Sequence, residues 1–116
     1  MGGKESKESK ESEFYTKSQT INLGKKKLGE VFDIDIETNS SIGTGYHIIN
    51  EKEYEKYLEY VDSDSKYNGA DGECGASTSN SISFKGIKTG STCIKFQFTF
   101  RGRNEGIETY KVKIIN

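Results

Sequence analysis

Apolar and polar residues alternate over short stretches of this chain. The longest such run has Ile94, Phe96, Phe98 and Phe100 at every second position, with Cys93, Lys95, Gln97 and Thr99 between them. A period of two puts one set on the buried side of a strand and the other on its outer side. The same period runs through Phe32, Ile34 and Ile36, separated by Asp33 and Asp35. It returns in Tyr110, Val112 and Ile114, against Thr109, Lys111 and Lys113. Shorter runs are Ile21 with Leu23 inside 18–23, Tyr46-His47-Ile48-Ile49, and Ile82 with Phe84.

The connections follow from turn chemistry. Gly24 to Glu30 is a Gly-flanked segment between two alternating runs, which predicts a hairpin with Lys25-Lys26-Lys27 as its solvated turn. Lys88-Thr89-Gly90-Ser91 and Arg101 to Gly106 read as turns, and Lys85-Gly86-Ile87 as a bulge. Residues 51–61 satisfy two templates. Tyr54, Tyr57, Leu58 and Val61 have helical spacing, whereas Tyr57, Glu59 and Val61 would share one side of a strand, so both remain open. Residues 62–80, rich in Gly, Ser, Asp and Asn, predict a long loop; irregular segments beyond about 12–15 residues are usually functional or disordered. Residues 4–12 are three copies of Lys-Glu-Ser, so 1–13 reads as a disordered tail or linker ahead of one domain spanning 14–116. The resulting fold class is all-β: an immunoglobulin-like sandwich of about seven or eight strands, with a short helix near 51–61 as the open alternative. No tryptophan is present and the two cysteines lack antibody-domain spacing, so pattern alone carries this assignment.

Composition narrows the function. At 31% hydrophobic residues the chain supports a small two-layer core. A formal net charge of −1 supplies no basic field for nucleic acid or a membrane surface. No stretch approaches the roughly 18 apolar residues of a membrane span, and Met1-Gly2-Gly3 leads into polar sequence rather than a signal-like run. Localisation stays open. Cys74 and Cys93 leave the redox compartment and their own pairing undecided. His47 has no catalytic partner in view, and neither a nucleophile pair, a phosphate loop nor a metal set is present. The expectation is a binding protein without cofactors, not an enzyme.

One loop then draws attention: Ser40-Ser41-Ile42-Gly43-Thr44-Gly45-Tyr46, small residues held between two strands. Glycines there permit unusual backbone angles and close approach of another backbone. Gly43-Thr44-Gly45-Tyr46 resembles the end of the Asn-Pro-Thr-Thr-Gly-Tyr/Phe loop of chagasin-type inhibitors of papain-like cysteine peptidases. Ile42 stands where that family has proline, and Gly43 where it has its first threonine. The family's Gly-x-Gly-Gly loop falls at 64–75, matched by Gly69-Ala70-Asp71-Gly72 or by Gly72-Glu73-Cys74-Gly75. Its Arg-Pro-Trp site corresponds to Arg101-Gly102-Arg103, which keeps the arginine and lacks Pro and Trp. The resemblance covers about residues 18–116 and extends to the falstatin-like inhibitors of apicomplexan parasites.

It implies a reversible inhibitor, monomeric when free, whose partner is a papain-like (cathepsin-L-like) cysteine peptidase. Ile42, Gly43, Thr44, Gly45 and Tyr46 would contact the peptidase, with Gly69, Gly72, Glu73, Cys74 and Gly75 of the second loop and Arg101, Gly102 and Arg103 of the third. The competing reading is an immunoglobulin-like adhesion or interaction module that binds a non-enzyme partner, for instance through the sheet face carrying Cys93, Lys95, Gln97 and Thr99. A substrate-binding module attached to an enzyme is a weaker third reading, because the loops show no aromatic platform.

Overall fold

A computed structural model describes residues 18–39, 43–69 and 76–116. The Lys-Glu-Ser tail and the candidate residues Ile42, Gly72, Glu73, Cys74 and Gly75 lie outside the described residues.

Seven strands and one short helix make up the described chain: β1 (Gln19–Lys27), β2 (Val31–Thr38), β3 (Thr44–Ile48), α1 (Glu51–Tyr54), β4 (Leu58–Tyr67), β5 (Thr78–Gly86), β6 (Gly90–Phe100) and β7 (Arg103–Ile115). They form a four-stranded sheet in the order β1-β7-β6-β3 and a three-stranded sheet in the order β2-β5-β4. Neighbours pair antiparallel, except that β1 runs parallel to β7. Two facing sheets with connections that cross between them give the immunoglobulin-like sandwich expected from the pattern.

The alternating residues fill the space between the sheets. Phe32, Ile34, Ile36, Ile82 and Phe84 from one sheet and Ile94, Phe96, Phe98, Tyr110, Val112 and Ile114 from the other are all buried. Ile21 and Leu23 of β1 pack against this core half-buried, as edge residues. Tyr110 donates its hydroxyl hydrogen to Glu108 Oε1 at 2.6 Å, and burial, followed by that carboxylate, holds the phenol above its ordinary pKa.

The 51–61 ambiguity resolves into both answers in succession. A single helical turn buries Tyr54, and β4 begins at Leu58, which is 1% exposed. Val61 faces solvent, so neither template held to its end.

Four expectations need correction. Gly24 to Glu30 is not a hairpin. β1 continues through Lys27 beside β7, with a register shift between Asn22 and Gly24, and the chain then crosses to β2 in the other sheet. Both strands turn apolar residues toward one core from opposite sides, which pairing with each other would prevent. Lys25-Lys26-Lys27 is therefore strand rather than turn. Lys26 lies along the sheet boundary with its ammonium 5.7 Å from the Phe32 ring, in cation–π range.

Nor is 62–80 one loop, since β4 runs to Tyr67 and β5 starts at Thr78. β4 is an edge strand whose residues after Leu58 are all exposed, so nothing imposes alternation on it. The bulge expected at 85–87 is absent there. β5 pairs without a shift on that stretch, and the irregularity falls opposite, between Tyr60 and Asp62. Finally, the 101–106 turn contracts to Arg101-Gly102, because β7 already begins at Arg103.

Core packing gives a direct stability expectation. Phe96→Ala should lower unfolding free energy by about 3–5 kcal/mol, while Val61→Ala should stay within about 0.5 kcal/mol. Urea denaturation of the two variants checks both.

Candidate functional site

Strand ends determine which loops meet. β2 ends at Thr38, opposite Thr78 at the start of β5, which in turn faces Tyr67 at the end of β4. In the other sheet, Thr44 at the start of β3 faces Phe100, and Phe100 faces Arg103. Residues 39–43 join the two sheets at this end, and the Thr44 amide donates to Asn39 O at 3.1 Å. The connections 39–43, 68–77 and 101–102 therefore share one end of the sandwich.

The first and third connections are joined directly. The backbone N–H of Arg101 donates to Gly43 O at 2.7 Å, prolonging the β3–β6 ladder by one step into the loops. Gly43 has φ of 89°, and a Cβ there would lie 2.9 Å from Arg101 Cγ and 3.4 Å from Arg101 N. Only glycine fits both that angle and that spacing. Arg101 and Gly102 both have positive φ, 52° and 81°. That is the two-residue hairpin geometry whose twist matches the flanking strands. A left-handed arginine is strained by roughly 1–2 kcal/mol. The hydrogen bond to Gly43 helps to hold it, as does stacking of the guanidinium at 4.9 Å from the Phe100 ring. Arg103 sits 6.0 Å from the same ring, so one half-buried phenylalanine carries two exposed cations.

The remaining first-loop residues divide their roles. Thr44 Oγ1 accepts a hydrogen bond from the Asn39 amide, so its hydroxyl closes the loop. Gly45 faces Thr99, with Oγ1 3.3 Å from a would-be Cβ. Tyr46 turns inward with its ring 5.7 Å from that of Phe96; burial and then Tyr60 raise its phenol pKa. Its side chain anchors the loop to the core rather than presenting itself outward.

In the second connection, Gly69 is the only candidate residue that can be placed. A Cβ there would come within 2.8 Å of the Tyr67 ring and Ala76. The base is closed by Asn68 N–H to Ser77 O at 2.9 Å and by Asn68 Nδ2 to the hydroxyls of Ser77 and Ser79.

Two buried amides beneath these loops went unnoticed in the sequence. Asn80, 8% exposed, donates through Nδ2 to Ile36 O at 3.0 Å and Thr38 Oγ1 at 3.1 Å, and accepts from Ser65 Oγ at 2.7 Å. It thereby ties all three strands of its sheet together just below the loops. A signal did exist, since Asn80 shares the every-second-residue set of Ile82 and Phe84. Gln97 fills the irregularity between β6 and β7, donating to Glu105 O at 3.3 Å and Gly106 O at 3.2 Å. No sequence pattern distinguished it from the outward set.

Cys93 is a free thiol away from the loops. It donates to Glu53 Oε2 at 3.6 Å, and burial, then Glu53, raises its pKa. It is neither activated nor near a histidine. No group of three metal-binding side chains occurs among the described residues.

No family model matches the chain, and no curated protein sequence does. Solved structures do match in fold. A cysteine protease inhibitor from Entamoeba histolytica, EhICP2, superimposes with a TM-score of 0.63 at 20% identity, over 85% of this chain and 88% of that one. PbICP-C, solved in complex with falcipain-2, gives 0.58 at 14% identity over 88% and 94%. Amebosin gives 0.52 at 17% identity over 84% and 100%. The sandwich assigned from sequence is the fold of these proteins.

The two amides carry a testable consequence. Asn80→Ala and Gln97→Ala each leave buried carbonyl groups without a donor and should cost about 1–3 kcal/mol. Asn80→Asp and Gln97→Glu, which also lack the donor, should not restore stability in urea denaturation at neutral pH.

Proposed function

We propose that the chain is a reversible protein inhibitor of papain-like cysteine peptidases, with residues 14–116 as the inhibitory domain and the loop end as a wedge for the active-site cleft. The observation that carries this reading is the bond from Arg101 N–H to Gly43 O, which makes the first and third loops one continuous edge. The second hairpin leaves the sandwich at the same end. The fold is shared with EhICP2, a cysteine protease inhibitor, and with PbICP-C, found in complex with falcipain-2.

The mechanism is occlusion without covalent chemistry. Gly43-Thr44-Gly45 lies over the catalytic cysteine, where its lack of bulk lets backbone fill the cleft. Thr44 bonds Asn39 across the base of the loop, which lowers the ordering entropy that opposes binding. Ile42, which precedes Gly43 in the chain, is assigned a peptidase contact beside it. The Gly69, Gly72, Glu73, Cys74 and Gly75 segment pairs through its backbone with one cleft wall, as an extended segment adds to a sheet edge. Arg101 and Arg103, pre-positioned on Phe100, meet acidic or aromatic groups of the other wall. Gly102 lets that turn form. Tyr46 contributes by anchoring. The chain does no chemistry of its own; an adhesion module would not need two loops tied together at one tip.

Titration of papain or a cathepsin-L-like peptidase should show stoichiometric inhibition that is reversed on dilution. Gly43→Val, which meets Arg101, and Thr44→Arg should each weaken inhibition by about a hundredfold or more, a loss near 3 kcal/mol. Lack of inhibition of several such peptidases by the folded protein would reject the reading.

A further inference from the structure

Pairing register assigns every strand residue to a face, and the two outer faces of the sandwich have opposite charge. On the three-stranded sheet, residues facing each other across strands share a side. Asp33 is opposite Ser83 and Ser83 is opposite Asp62; Asp35, Ser81 and Asp64 form the next row. Glu37 continues the β2 column and Glu59 the β4 column, with Lys66 and Lys85 at opposite ends of the face. The Ser83 hydroxyl donates to Asp33 Oδ1 at 2.6 Å, which fixes these groups on one surface. All six carboxylates are exposed.

The outer face of the four-stranded sheet is the reverse. Lys25, Lys113 and Ser91 form one row, and Asn22, Lys111 and Cys93 the next, followed by Thr20, Thr109 and Lys95. The small side chains Ser91 and Asn22 leave a shallow concavity of about 300 Å³ rimmed by Lys25, Lys111 and Lys113. Glu53 borders this face beside Cys93. The chain's near-neutral formal charge of −1 therefore conceals a segregation of charge across the sandwich.

We propose that these faces dock on one another between molecules, the lysine face of one copy against the carboxylate face of the next. Geometry favours this occupant. Carboxylates at i and i+2 on β2 and lysines at i and i+2 on β7 recur at the same strand repeat of about 7 Å, and strands in both faces lie about 4.8 Å apart. Two such faces match row for row. Four lysines are also fewer than the roughly 6–10 phosphate contacts that give strong polyanion binding. Each face offers only on the order of 300 Å² over three strands and four rows, well below a stable interface. The association is accordingly weak and salt-labile. Because the two surfaces differ, the contact is head-to-tail and does not close, giving short linear oligomers. It leaves the loop end free and is independent of the inhibitory reading.

Sedimentation velocity of the full chain, without any peptidase, tests it. At about 20 mM salt, where screening is weak, the weight-average sedimentation coefficient should rise with concentration, and at about 0.5 M salt it should return to the monomer value. Lys111→Glu with Lys113→Glu should abolish the rise, as should Asp33→Lys with Asp35→Lys. These exposed substitutions leave the core untouched, and circular dichroism verifies folding. Mixing the two double variants should restore association as far as pairs, because one keeps the native carboxylate face and the other the native lysine face. A chain that stays monomeric at low salt overturns the proposal. So does association that survives either double variant, or a mixture that stays monomeric. Saturable binding of heparin at the lysine face by a chain that never self-associates would overturn it in favour of a polyanion.

Discussion

Two fully buried phenylalanines, one in each sheet, organise the sandwich. Phe84 of β5 meets Phe32 from β2 at 6.2 Å, Tyr54 from α1 edge-on at 5.3 Å and Tyr60 from β4 at 6.1 Å. Phe96 of β6 meets Tyr46 from β3 at 5.7 Å and Tyr110 from β7 edge-on at 5.5 Å. Edge-on and tilted pairs at these separations suit the quadrupoles of the rings and add to the large area that each buries. A chain with few apolar residues can still specify a fold when its largest side chains converge on one central strand of each layer. The short helix exists in this setting because its only buried residue, Tyr54, completes the ring cluster around Phe84.

This explains how much of the molecule was legible beforehand. β2, β6 and the second half of β7 read correctly because each has one side against the core, and burial on one side is what produces a period of two. β4 from Asp62 onward has the composition of a loop because it has no buried side: its Asp, Ser and Lys residues satisfy an edge strand that must stay soluble and unpaired on its free side. β1 was cut short because a register shift broke its period just where three lysines began. The pairing of β1 with β7 lies outside local pattern altogether, since strands more than eighty residues apart leave no mark on each other's sequence. The candidate site was legible in the same uneven way. Thr44, Gly45 and Arg101 could be singled out as loop residues, but the bond joining Gly43 to Arg101 is a tertiary contact. Tyr46, named among the contact residues, packs its ring on Phe96, a tertiary contact of the same kind.

Asn80 and Gln97 show how so small a core holds its strand ends together beneath the loops. Strand ends fray where ladder hydrogen bonds run out, and a bulge leaves carbonyls without partners. Each amide lies under one pair of connections and supplies the missing donors from inside the protein. Water would compete for the same carbonyls were the amides exposed; at 8% exposure it largely cannot. The strand ends that carry the tip are therefore held one layer below it, by two buried side chains.

A division of surfaces follows. Among the described residues, the loop end presents mainly small residues, backbone and two arginines, while most strand carboxylates and strand lysines lie on the two outer faces. Segregation of this kind lets the tip approach a partner without carrying the acidic face into the contact, since at physiological ionic strength charges more than about 8 Å apart are largely screened. The arginines at the third connection then act as a local field, short-ranged and fixed by Phe100. Stacking matters more than charge for this purpose. A lysine at 101 or 103 would keep the charge but lose the planar group that lies over the ring, and with it the fixed direction in which the tip presents its cations.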